Sequence, residues 1–236
     1  MYRAVVTGAA SGIGRALAVK LADQGYTVHL ADIAPTDDLA EAIGGVSAPT
    51  DVTSSDQMSR LADQVGDVDL VCLNAGTVGA SLGAPWEVTP EEWVTVLDVN
   101  LHGVVNGLRA FVPRLLAAGR PGHVLITASL AGLVTFPAGG AYAATKHAVV
   151  AVAEQAALAL ADSQVSVTLL CPALVRTAMS PVGADPAEVA EQALDGVRER
   201  RFLVVPGEWT GAIVERSKRL ADGAQPRLPA PGPAHG

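Results

Sequence analysis

A tyrosine and a lysine stand four residues apart in Tyr142-Ala143-Ala144-Thr145-Lys146, thirteen residues after Ser129. On a helix that spacing puts both side chains on one face, so an ammonium can lie against a phenol. Free tyrosine ionises near about 10, and bringing it toward neutrality takes about 4 kcal/mol of preferential phenolate stabilisation. A neighbouring cation supplies that sign of effect. A phenol so tuned is a base toward an alcohol and an acid toward a carbonyl. The Ser129 hydroxyl, which both donates and accepts, can hold either kind of oxygen. Taken singly, such a pair is more often a surface couple and such a serine more often a cap. Their joint order behind a nucleotide-binding turn is the stronger signal. His147 follows the lysine but is rotated about 100° around the helix, which gives it a structural role. Cys171 reads as a buried strand-end residue.

That turn is Thr7-Gly8-Ala9-Ala10-Ser11-Gly12-Ile13-Gly14-Arg15, which leads into Ala16, Leu17, Val19, Lys20 and Leu21 at helical spacing. Glycines let the chain bend sharply and approach a pyrophosphate, and the helix start offers free N–H groups and a positive dipole end. Gly8, Ser11, Gly12, Ile13 and Gly14 are therefore assigned to a dinucleotide. Asp32 ends a second strand 18 residues beyond Gly14, where a carboxylate accepts from a ribose diol. It also repels a 2′-phosphate, and Ser11, Ile33 and Ala34 supply no cation to offset that. NAD is expected in preference to NADP. A positive nicotinamide beside Tyr142 would add to the effect of Lys146.

Short apolar runs alternate with longer helical patterns. Residues 4–7, 28–31, 70–73, 124–127, 165–170 and 202–205 read as strands buried on both faces, which implies a doubly wound parallel α/β sheet. Thr89-Pro90-Glu91-Glu92 carries a capping spacing with proline at the first helical position, so a helix begins near Pro90. Further helices are expected over 142–161 and 186–199. Of 236 residues, 50% are hydrophobic and 17% charged, which excludes disordered and fibrous classes. A net charge of −8 argues against nucleic acid. Cys72 and Cys171 form no metal-binding or disulfide pattern, so no metal is expected and a reducing cytoplasm is. The first residues lack an export signal, and no apolar run is long enough for a membrane span.

Taken together, the chain resembles the short-chain dehydrogenase/reductase family in its compact single-domain form. The resemblance spans about residues 3–205 and rests on the glycine turn, Asp32, Asp51-Val52, Asn74-Ala75-Gly76, Asn100, Ser129, Tyr142-xxx-Lys146 and Pro172-Ala173-Leu174-Val175-Arg176-Thr177. It implies a Rossmann-type sheet, nicotinamide-dependent hydride transfer and a catalytic group of Asn100, Ser129, Tyr142 and Lys146. By the same resemblance, Asp51 and Val52 border adenine, and Asn74, Ala75 and Gly76 steady the sheet near the ribose. Lys146 holds the nicotinamide ribose, and Pro172, Val175 and Thr177 line the nicotinamide, the latter two at its carboxamide. Asn100 is placed at a helix distortion that holds a proton-relaying water. Asp51 is equally suited to capping the turn before Thr53-Ser54. Two departures stand out. Leu73 replaces the family's usual first asparagine before Asn74, and Ala173 replaces the usual glycine after Pro172.

The expected substrate wall, 81–83, 130–134, 136–140 and 174–182, is small and apolar, with Arg176 its one basic residue. A neutral secondary alcohol or ketone fits it. Residues 174–186 form a candidate lid, and 222–236, rich in Pro, Gly and Ala, a tail beyond a single domain of 1–221. The alternatives to an NAD-dependent dehydrogenase are an NADPH-accepting ketone reductase and a catalytically silent NAD-binding regulator. The helices over 90–114 and 142–161 are expected to form a symmetric interface in a homodimer or homotetramer.

Overall fold

The structure, a computed structural model, describes residues 2–177 and 180–232. Among the described residues seven strands form one parallel sheet: β1 (Arg3–Thr7), β2 (Thr27–Asp32), β3 (Val46–Pro49), β4 (Leu70–Leu73), β5 (Gly122–Thr127), β6 (Val165–Leu170) and β7 (Leu203–Val204). Their order is β3-β2-β1-β4-β5-β6-β7. The order reverses between β1 and β4, the position at which ligands bind in doubly wound folds. In register, Val6 of β1 lies level with Leu30 of β2 and Cys72 of β4.

The described residues form eight α-helices: α1 (Gly12–Asp23), α2 (Asp37–Ile43), α3 (Ser55–Val65), α4 (Pro90–Leu97), α5 (Gly103–Ala117), α6 (Gly140–Ala159), α7 (Pro186–Arg198) and α8 (Thr210–Ala221), the last of which buries no residue. Met58 of α3, Phe111 of α5 and Val149 of α6 fill one apolar layer with Val5, Val71, Val124 and Ile126 of the sheet. Leu17 of α1, Leu39 of α2 and Val189 of α7 fill the other with Val6, Leu30 and Leu125. The near-continuous apolar strands follow from this double coverage. Helix starts obey local rules. The Thr89 hydroxyl accepts from Glu92 N–H at 3.3 Å ahead of Pro90, and the Asp185 carboxylate from Ala187 N–H at 2.8 Å ahead of Pro186.

One expectation changes: the sheet has a further strand, β3, beyond the six runs read as strands. The distortion expected around Asn100 is a π-helical turn over Asp98–His102, which interrupts the helix from Pro90 before α5 continues it. The alanine that departs from the usual glycine, Ala173, has no positive φ, since Arg200 is the one non-glycine with positive φ among the described residues. The Leu73 departure is accommodated by α5: a Cβ built on Gly107 would stand 2.3 Å from Leu73 Cδ2. Beyond α8, residues 224–232 are without regular structure and mostly exposed, and the rest of the expected tail lies outside the described residues. Among the described residues no helix is long and apolar enough to cross a membrane.

Candidate active site

The glycine turn joins β1 to α1 under tight steric control. A Cβ on Gly14 would stand 2.0 Å from the Gly8 carbonyl oxygen, so only a bare Cα packs there. Gly12 has φ +54°, and a Cβ on it would meet Thr177 Cγ2 at 2.9 Å. Thr177, in the segment after β6, thus closes over the turn from the opposite side. The start of α1 has no side-chain cap and no acidic residue in its first turn, which leaves N–H groups and positive potential for an anion.

Asp32, at the end of β2, accepts from Ala10 N–H through Oδ2 and from Ala34 N–H through Oδ1, both at 2.9 Å. Each oxygen retains a lone pair for a diol. Among the described residues no ion pair neutralises it. Ile33 beside it is 81% exposed, an apolar surface that the sequence reading used only as a missing cation. Asp51 serves the capping alternative: its Oδ1 accepts from Thr53 N–H at 2.9 Å and from the Thr53 hydroxyl at 2.8 Å. The Val52 side chain is buried, and a Cβ on Gly103 would stand 2.8 Å from its Cγ2, so that side chain packs on α5. Asn74 and Ala75 are tied to β1, since both backbone N–H groups donate to Thr7 Oγ1, at 2.9 and 3.1 Å.

The four candidate catalytic residues converge at the carboxyl edge of the sheet. Asn100 sits inside the π-helical turn, 1% exposed, where its Oδ1 accepts from Thr77 N–H at 2.8 Å. Its Nδ2 donates to Thr77 O at 2.9 Å and to Thr145 Oγ1 at 3.1 Å. A Cβ on Gly76 would stand 3.2 Å from Asn100 Oδ1 and 3.4 Å from Lys146 Nζ, so the bare Gly76 lets both approach the end of β4. Ser129 follows β5 and accepts from Ala131 N–H at 3.1 Å, keeping its own proton to donate. Lys146 Nζ donates to Thr127 O at 3.4 Å and lies 5.6 Å from the centroid of the Tyr142 ring. Pro172 O accepts from Leu130 N–H at 2.8 Å, which joins the segments after β5 and β6.

Burial reverses one electrostatic expectation. The Tyr142 phenol is raised above its ordinary value of 10.0, chiefly because burial penalises the phenolate, with Ser129 pulling it down and Cys171 pushing it up. Burial also lowers Lys146 to about 8, while Cys171 beside it opposes that shift. The free chain therefore holds a proton tightly on the phenol and loosely on the lysine, which differs from a pair tuned by the lysine charge alone. Burial pushes the Cys171 thiol up to about 12, consistent with an unreactive core thiol.

Thr145 was missed by sequence reasoning. It is fully buried, accepts from Asn100 and donates to Tyr142 O at 2.8 Å, so it fastens the π-helical turn to α6. Its place one α-helical turn before the buried Val149 was the available signal. In the expected lid, Arg176 N–H donates to Ala184 O and Ala184 N–H to Leu174 O, each at 2.9 Å, while residues 178–179 lie outside the described residues. Arg176 pairs with Asp185 at 2.7 Å.

The chain matches the short chain dehydrogenase family model over residues 2–185. It is a member of the short-chain dehydrogenase family. This short-chain dehydrogenase is 44% identical over 190 residues to 1-deoxy-11-beta-hydroxypentalenate dehydrogenase of Streptomyces avermitilis, covering 75% of this chain and 70% of that one. It is 36% identical over 200 residues to an NAD-dependent oxidoreductase of Mycobacterium tuberculosis, covering 75% and 72%. A short-chain dehydrogenase from Burkholderia phymatum, solved in complex with NAD, superposes with TM-score 0.90 at 32% identity over 97% of each chain. The protein is thus an oxidoreductase of the class that acts on a hydroxyl group.

Proposed function

We propose that this short-chain dehydrogenase uses NAD to oxidise a neutral, largely apolar secondary alcohol, or runs the reverse reduction of the ketone, with Tyr142 as general acid/base. The observation that carries the reading is the convergence of Ser129, Tyr142 and Lys146 beside the glycine turn, with the lysine held 5.6 Å from the phenol ring. Bound NAD would supply the hydride acceptor for the alcohol carbon. Gly8, Gly12 and Gly14 with the uncapped start of α1 would hold its pyrophosphate, Asp32 its adenosine ribose, and Lys146 its second ribose. Ser129 orients the substrate oxygen while Tyr142 takes its proton, and Asn100 acts from behind by fixing Thr77 and α6.

Asp32 also supports NAD over NADP, because a phosphate brought beside an unpaired carboxylate meets like-charge repulsion. For the substrate, Leu82, Trp86, Leu174 and Val182 expose apolar surface on loops at the carboxyl edge. Arg176 is already paired with Asp185, which leaves it poorly placed to recognise an anion. The test is a screen of neutral cyclic, aliphatic and aromatic secondary alcohols beside carboxylate-bearing analogues, followed by the absorbance of reduced cofactor. Turnover confined to the neutral alcohols is expected. Tight NADH binding with no turnover of any member would favour the silent regulator instead.

A symmetric homodimer built on α4, α5 and α6 accompanies this reading. Val94, Leu116 and Leu158 are large apolar side chains exposed on those helices in the single chain, and a partner copy would cover them. Light scattering at micromolar concentration should give at least twice the 24.0 kDa chain mass, and a monomer mass would overturn the assembly.

A further inference from the structure

The segment between β4 and α4 leaves the sheet at Gly76, beside Lys146 and Asn100, and returns at the Thr89 cap of α4. Midway it meets the start of α6. A Cβ on Gly140, the first residue of α6, would stand 2.8 Å from Val88 Cγ2 and 3.3 Å from the Gly83 carbonyl oxygen, two residues before Tyr142. Ala141, between Gly140 and Tyr142, packs in a small apolar cluster with Val88 and Val96. Residues 80–84 therefore border the end of α6 that carries the phenol, and Leu82 within them is half-exposed.

A loop with little apolar burial of its own needs another restraint to keep one shape. Two carboxylates supply it. The Thr89-Pro90-Glu91-Glu92 spacing is that of a capping box, in which the glutamate would turn back to the Thr89 N–H. The Glu92 carboxylate reaches the loop instead: Oε1 accepts from Ala80 N–H and Ser81 N–H, each at 2.7 Å, and Oε2 from the Ser81 hydroxyl at 2.6 Å. Gly79, with φ +82°, brings the chain against α4, since a Cβ there would meet Val96 Cγ2 at 2.9 Å and Glu92 Oε1 at 3.3 Å. At the other end, Glu87 accepts from Ala84 N–H at 2.8 Å. Leu82 and Gly83 are thus held between two anchored points. The Ser81 hydroxyl, ahead of the Ser81 N–H, keeps the Glu92 carboxyl below its ordinary value of 4.5, so the loop is bonded to a full negative charge at neutral pH.

We infer that Glu92 is a positioning residue for the alcohol, holding residues 80–84 as the wall of the substrate cleft beside Tyr142. The inference rests on the reading of this chain as a dehydrogenase of neutral secondary alcohols, and it deepens that reading by naming what shapes one side of the site. Glu92 acts through the loop rather than on the reacting atoms. A loop fixed before the substrate arrives receives it without an ordering cost, whereas a loose one is ordered at the expense of affinity.

The test measures steady-state kinetics with NAD and three probes, cyclohexanol, 1-phenylethanol and 1-indanol, in Glu92→Ala, Glu92→Gln and Ser81→Ala, with a calorimetric NADH titration of each. Glu91→Ala, which takes the same charge from the same helical turn, is the control. Glu92→Ala should raise KM for the alcohols roughly 5–30-fold, the effect of re-ordering about one backbone residue, while kcat and NADH affinity stay within about 2-fold of the unaltered chain. Glu92→Gln keeps an acceptor for the two N–H groups and should recover most of the loss, and Ser81→Ala, which removes one donor, should raise KM less. Unchanged KM in Glu92→Ala would overturn the inference, as would an equal rise in Glu91→Ala, or a fall in kcat and NADH affinity in place of the rise in KM. Should Glu92→Ala no longer bind NADH, Ser81→Ala decides, and its unchanged KM would overturn the inference too. An unaltered chain that binds NADH but oxidises none of the three alcohols would instead overturn the neutral-alcohol reading, and this wall with it.

Discussion

The Asn100 amide donates to the Thr145 hydroxyl across 3.1 Å, and that hydroxyl donates in turn to the carbonyl of Tyr142 at 2.8 Å. The relay ties a π-helical turn on one chain segment to the helix that carries the phenol and the lysine. Removing the Thr145 hydroxyl strands a buried Asn100 N–H donor. Thr145→Val should therefore cost about 1–3 kcal/mol of stability in urea denaturation. The Thr127 hydroxyl is buried with no hydrogen-bond partner among the described residues, so Thr127→Val should cost none. A Thr145→Val chain as stable as the original would show that the relay holds nothing in place.

Tyr142→Phe keeps the ring and deletes the proton carrier. Turnover should fall roughly 10²–10⁴-fold with NAD affinity preserved, as read from kcat and from a separate binding titration. Near-normal kcat would remove Tyr142 from its role. Because burial raises the phenol of the free chain, the deprotonated base is scarce at neutral pH. Alcohol oxidation should therefore speed up as pH rises above 7, while ketone reduction, which uses the protonated phenol, should stay level until the pH approaches that raised value.

Lys146 should destabilise the fold it serves. Unfolded, it keeps its proton up to its ordinary value of 10.5, while in the folded chain burial makes it release that proton near about 8. Between those values the unfolded state binds more protons, so stability rises with pH across that window, and below it the full cost is present. Lys146→Met keeps the stem and removes the charge. It should stabilise the cofactor-free chain at pH 7 by up to about 3 kcal/mol, with the gain shrinking toward pH 10, while abolishing turnover. A less stable methionine variant at pH 7 would contradict the burial argument.

Asp32→Ala removes the carboxylate that faces the ribose. Affinity for NADH should drop, and the ratio of NADH to NADPH affinity should narrow, when both are titrated by fluorescence. A preference for NADPH in the unaltered chain would show that another group outweighs Asp32.

The amino-acid sequence determined those features whose cause is local. The glycine spacing follows from a close backbone approach, the Tyr142–Lys146 spacing from the helical repeat, and the continuous apolar runs from strands covered on both faces. The edge strand β3 escaped because Val46-Ser47-Ala48-Pro49 is short and mixed, and an edge position tolerates a proline that a central strand would not. The π-helical turn around Asn100 leaves no periodic trace, since one extra residue in a helix shifts the pattern without breaking it. Only the tertiary structure decided which polar groups meet. Thr145 finds Asn100 45 residues away in the chain, and Thr127 is left without a partner. The ionisation of Tyr142 and Lys146 was also settled there. Spacing brings the two groups together, but the desolvation that raises one and lowers the other depends on how much of the fold is packed around them.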